Sequence, residues 1–163
     1  MRACILALVC CATPALADLE VRFIEGAPVD RFTFTPSADC PIGPATLVVD
    51  LTASQGKLIF ATTERGAGGE GYQPVRLTSG ADQVVALPDG SDGARGVSLD
   101  LASLSSGLSF TIDVDDTLGQ SETRVSGSEI TDAQVHLVID GTRYSASFDA
   151  TARANLDLPA CLS

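Results

Sequence analysis

The dominant period along this chain is two. Leu19, Val21 and Phe23 alternate with Glu20, Arg22 and Ile24, and Phe32 and Phe34 alternate with Arg31, Thr33 and Thr35. Leu47, Val49 and Leu51 alternate with Val48, Asp50 and Thr52; Val97, Leu99 and Leu101 alternate with Ser98 and Asp100. Phe110, Ile112 and Val114 alternate with Thr111, Asp113 and Asp115. Each run predicts a strand with one face on a core and the other on solvent. Joints rich in Gly, Pro, Asp and Ser separate them, at Pro36-Ser37, Pro41 to Pro44, Gly66 to Gly71, Pro88 to Gly93 and Ser105 to Gly107. No segment sustains an amphipathic helical pattern over several turns.

The sharpest local prediction is a hairpin at Asp140-Gly141, a pair suited to a type I′ turn because both central positions need positive φ. Folding there sets Ile139 against Thr142, Leu137 against Tyr144, Val135 against Ala146 and Ala133 against Phe148, while His136 meets Ser145 on the other face. A slip of one residue would break that agreement between pattern and turn. Counting such runs gives about nine to eleven short strands, which favours an antiparallel sandwich over a parallel sheet with crossover helices. The predicted fold is therefore all-β, a single antiparallel β-sandwich, with a partly closed β-barrel as the alternative.

The first residues change where this domain is expected to work. Arg2 precedes an apolar run from Ala3 to Cys11, and Ala15-Leu16-Ala17 puts small residues before Asp18. That is the pattern of a cleaved signal peptide over 1–17, too short for a bilayer core about 30 Å thick. Neither Val9 before Cys10 nor Cys10 before Cys11 is the small residue that precedes a lipidated cysteine. The expectation is export to the periplasm or the medium, without membrane insertion. One domain then fills residues 18–163, and with Arg2 gone the formal charge moves from −11 to −12. So acidic a chain is expected not to bind nucleic acid, which requires clustered Lys and Arg. Of five cysteines only Cys40 and Cys161 remain after cleavage, with no CxxC spacing, so export predicts that they form a disulfide.

Candidate chemistry is sparse. Gly66 to Gly71 satisfies GxGxxG as a string, but Tyr72-Gln73-Pro74-Val75-Arg76-Leu77 follows and predicts a strand instead of the helix a dinucleotide site needs. His136 is the sole histidine, and without a GxSxG elbow, HExxH or SxxK a solvated or cross-strand-bonded role outweighs a catalytic one. Asp89 to Gly93 reads as a turn, since Gly93 stands where a calcium loop wants Asp or Asn.

The densest carboxylate run is Asp113-Val114-Asp115-Asp116, with Asp113 and Asp115 on one face about 7 Å apart. Two readings stay open. One is a solvated acidic edge that discourages aggregation. The other is part of a calcium site held by Asp113, Asp115 and Asp116, completed by Glu122 or Glu129. Paired carboxylates could also serve a glycosidase, although a chain with no Trp and two Tyr offers little for sugar stacking.

Two stretches, Phe23-Ile24-Glu25-Gly26-Ala27-Pro28-Val29-Asp30-Arg31-Phe32 and Phe110-Thr111-Ile112-Asp113-Val114-Asp115-Asp116-Thr117-Leu118-Gly119, occur together, the second followed by Val125-Ser126-Gly127-Ser128-Glu129-Ile130. They resemble small secreted bacterial proteins labelled aggregation factor core proteins, a name borrowed from sponge cell-adhesion proteoglycan cores. The resemblance implies a β-sandwich module in cell-surface or matrix adhesion, with calcium-dependent association as in the sponge system, and carries over no binding residues. Three functions follow in order of expectation: a non-enzymatic exported module that binds a protein, cell surface or matrix; a structural part of an envelope assembly; and a small polysaccharide hydrolase.

Overall fold

A computed structural model describes residues 17–36, 42–63, 67, 72–87, 91–118 and 125–158. The described residues form eleven strands: β1 (Ala17–Ile24), β2 (Asp30–Pro36), β3 (Ala45–Asp50), β4 (Ile59–Ala61), β5 (Arg76–Ser79), β6 (Val84–Ala86), β7 (Gly96–Leu101), β8 (Leu108–Asp115), β9 (Gln134–Ile139), β10 (Thr142–Ser147) and β11 (Arg153–Leu158). A single 3₁₀ turn, Ala81–Gln83, joins β5 to β6. The first sheet runs β11-β1-β2-β8-β4, with β5 also paired to β8; the second runs β10-β9-β3-β7-β6. All pairings are antiparallel, and neither sheet closes into a barrel, so the sandwich and not its alternative is the architecture. No helix among the described residues is long and apolar enough to cross a membrane.

The period-two pattern places the core. Leu19, Val21 and Phe23 of β1, Phe32 and Phe34 of β2, and Phe110 and Ile112 of β8 face inward, against Leu47 and Val49 of β3, Leu99 of β7 and Leu137 of β9. Phe32 is the hub, its ring centroid 5.1 Å from Phe23, 5.3 Å from Phe110, 6.3 Å from Phe148 and 6.5 Å from Phe60. These tilted and edge-on separations are the ones aromatic rings favour.

The C-terminal hairpin has the register expected of it. Ile139 faces Thr142, Leu137 faces Tyr144 and Val135 faces Ala146, and Ala133 and Phe148 join through a backbone bond of 2.8 Å. Asp140 and Gly141 adopt φ of 49° and 77°, the left-handed pair of a type I′ turn. The strand expected from Tyr72 starts only at Arg76. Pro74 has no N–H to give, yet the preceding segment still bridges, with Gln73 N donating to Ala61 O and Gln73 O accepting from Asp113 N. Gly93 ends a turn that Ala94 N closes onto Ser91 O, in keeping with the turn reading there. Within the GxGxxG string only Ala67 is a described residue.

Candidate functional site

The acidic end of β8 is the first place to look. Asp113 and Asp115 share a face, as alternation requires, and lie opposite Ala61 and Ile59 of β4. They are not solvated: each is 7% exposed. Asp116 lies past the strand, where its carboxylate accepts from the Leu118 amide at 2.9 Å and shapes the exit turn.

A third carboxylate, Asp30, joins them. It is the first residue of β2, on the same parity as Phe32 and Phe34, and is 2% exposed. Paired with Ile112, it is the last β2 residue in that ladder, so β8 runs on beyond its partner's backbone. The Asp30 side chain supplies the missing acceptor: Oδ2 takes the Val114 N–H at 3.1 Å, and Oδ1 takes the Gly26 N–H at 3.0 Å. One carboxylate thus extends the β2–β8 ladder and ties down the β1–β2 loop. Its residue type matters because an unpaired buried N–H is costly.

Burial sets the electrostatics. It pushes the Asp30 carboxyl up to about 7, against the pull of the Gly26 and Val114 amides and with help from the nearby Asp113 and Asp115 charges. Burial, then the Asp115 charge, raises Asp113 to about 6, while an amide bond from Val114 opposes. The Asp113 and Asp115 charges thus act on the Asp30 proton, and the Asp115 charge acts on that of Asp113. Among the described residues no three His, Cys, Asp or Glu are grouped so as to hold a metal ion. Glu122 lies outside the described residues, and Glu129 is engaged in its own turn, accepting from Ser126 N at 2.6 Å and Ser126 Oγ at 2.8 Å. A raised carboxyl is what a glycosidase wants of its general acid. Asp30, however, is covered, and both of its oxygens are committed to backbone amides.

The outer face of the second sheet carries the other constellation. His136 Nδ1 lies 2.8 Å from Ser145 Oγ across the hairpin, and Asp50 Oδ2 lies 4.0 Å from His136 Nε2. Burial lowers the imidazole pKa and the Arg143 charge lowers it further, with Asp50 opposing. Ser, His and Asp thus occur in sequence of contact, but 4.0 Å is beyond hydrogen-bond reach. Successive N–H groups of an extended strand also point opposite ways, so Ser145 in β10 cannot aim two of them at one oxyanion. The contact is the cross-strand bond expected for His136, now with Asp50 as a neighbour the sequence did not indicate.

Other polar side chains hold loops. Asp92 accepts from Thr62 N at 2.8 Å, Thr63 N at 3.0 Å and Ala67 N at 2.6 Å, and these amides hold its carboxyl below the ordinary range. Buried Gln83 accepts from Ser105 N at 2.7 Å and Ser106 N at 3.1 Å. Asp149 caps the turn into β11, accepting from the Thr151 hydroxyl and amide, both at 2.7 Å, and from Arg153 N at 3.1 Å. Cys40 and Cys161, the expected disulfide, lie outside the described residues.

Asp30 was legible in principle, since a carboxylate on the core parity of a strand has to find donors. Comparison with family models, with curated proteins and with solved structures finds no match for this chain.

Proposed function

We propose that this chain is an exported, non-enzymatic binding module of the adhesion type, a rigid sandwich that presents a sheet face to a cell-surface or matrix partner. One observation carries the reading: the polar groups with the most chemistry are occupied in holding the frame, while the outer side of β1, β2, β5 and β11 stays open. Asp30 closes a ladder, His136 bonds across a hairpin, and Asp92 and Asp149 clamp turns. On the outside of the first sheet, by contrast, Arg22, Arg31, Arg76 and Arg153 are all exposed. The signal-peptide pattern and the resemblance to aggregation factor core proteins support the same reading.

The test is co-sedimentation of the purified mature, oxidised protein with intact cells and with extracted envelope material. Saturable binding is expected. A protein that stays monomeric and sediments with neither would overturn the reading.

A further inference from the structure

The outer face of the first sheet has a charge pattern that chain order conceals. Arg22 of β1 lies directly opposite Arg153 of β11 and, on its other side, opposite Thr33 of β2. Thr33 faces Ser109 of β8, and Ser109 faces Ser79 of β5. That is one row across five strands: Arg153, Arg22, Thr33, Ser109, Ser79. The next row is Ile24, Arg31, Thr111 and Arg76. Four of the chain's ten basic residues therefore meet in two adjacent rows, although 131 positions separate Arg22 from Arg153 along the chain.

Strand spacing gives the dimensions. Arg31 and Arg76 flank Thr111 at two strand separations, about 10 Å, and the five-strand row is about 19 Å long. Opposed like charges such as Arg22 and Arg153 are unfavourable neighbours on adjacent strands. Glu20 offsets one of them, its Oε1 accepting from Arg22 Nε at 2.6 Å. Among the described residues, Arg31 and Arg76 have no carboxylate within 4.0 Å, in a chain that holds 21 acidic residues. Between the arginines stand the hydroxyls of Thr33 and Ser109, with Thr78 and Ser79, whose Oγ atoms lie 2.6 and 2.8 Å from Ser109 Oγ; Thr111 is buried, its hydroxyl 3.5 Å from Arg76 O.

We propose that this band is a binding site for an extended acidic polysaccharide, with the arginines pairing its carboxylate or sulfate groups and the hydroxyls bonding its ring oxygens. The proposal rests on the binding-module reading and names the partner's chemistry and the face that takes it. A guanidinium presents a planar fork that matches a carboxylate or sulfate edge. The shape favours a single chain: the band is two rows wide, Glu20 borders it on β1 opposite Asn155 of β11, and Asp157 stands one row beyond. A broad anionic surface such as a bilayer would meet those carboxylates as well as the arginines. Single-stranded nucleic acid stacks its bases on aromatic rings, and the outward positions of both rows hold Arg, Thr, Ser and Ile.

The test uses the mature, oxidised protein with polygalacturonate and dextran sulfate as probes. Neutral dextran, phosphatidylglycerol vesicles and single-stranded DNA serve as comparisons. Binding to an acidic polymer that weakens with salt is expected, because exposed charges are screened. Arg31→Gln with Arg76→Gln should weaken it about tenfold or more with no change in the melting midpoint, whereas Arg143→Gln, on the other sheet, should leave it unchanged. No binding to either acidic polymer, tighter binding to vesicles or DNA, or equal loss with Arg143→Gln would overturn the proposal. If the double variant still co-sediments with cells as the native protein does, the band is wrong while the binding-module reading stands. If neither sediments, both fall.

Discussion

Asp30 shows how one side chain can serve backbone and electrostatics together. Its carboxyl is raised to about 7 by burial, so the native state keeps a proton that the unfolded chain releases near pH ~4. Between those values the unfolded state binds fewer protons, and stability contributed by this group falls as pH rises. The contribution is present in full below about 4 and lost through about 7, a change of a few kcal/mol at most. Asp92 and Asp149 are lowered instead, so their contributions are present at neutral pH and lost on acidification. Asp30→Asn should therefore make the decline between pH 4 and 7 shallower, leaving the Asp113 share below about pH 6 and the acid limb intact, as read by urea titrations across that range. Asp30→Ala leaves the Gly26 and Val114 amides without an acceptor and should cost about 2–4 kcal/mol near pH 4, with the cost shrinking as pH rises towards 7. An Asp30→Ala protein as stable as the native one would show that the bridge does not matter.

At the scale of elements, turn chemistry and periodicity carried the sequence reading furthest. The β9–β10 hairpin was legible to the residue because Asp140-Gly141 and the apolar alternation demand the same register. Gly141 has open space where a Cβ would stand but a φ of 77°, so Gly141→Ala tests backbone strain alone. It should destabilise by about 1–2 kcal/mol in equilibrium denaturation, with the slope unchanged. Less legible were short strands such as β4, whose three residues are all buried, because a fully apolar run carries no period. The late start of β5 reflects Pro74, which the alternation alone cannot weigh. Asp113 and Asp115 were assigned to the correct face, yet their burial was not readable: periodicity tells which side a residue faces and not what lies over it.

Across the whole molecule, the core and the outer faces have different origins in the sequence. The core follows from alternation, and its centre is Phe32, which touches rings from both ends of the chain. Phe32→Ala should cost about 3–5 kcal/mol, read from the denaturation midpoint, more than a truncation at the sheet edge. The arginine band depends on strand order, which alternation leaves open: Arg153 meets Arg22 only because β11 returns beside β1. A net charge of −11 described the average surface and hid this local excess of positive charge. The central claim is that the outer face of the first sheet is where the protein meets its partner. Arginine-selective labelling with phenylglyoxal, read by mass spectrometry with and without envelope extract, tests it most directly. Protection of Arg22, Arg31, Arg76 and Arg153, with Arg95 and Arg143 still reactive, is the result expected. Protection of Arg95 and Arg143 instead, or of no arginine while the protein is bound, would contradict it.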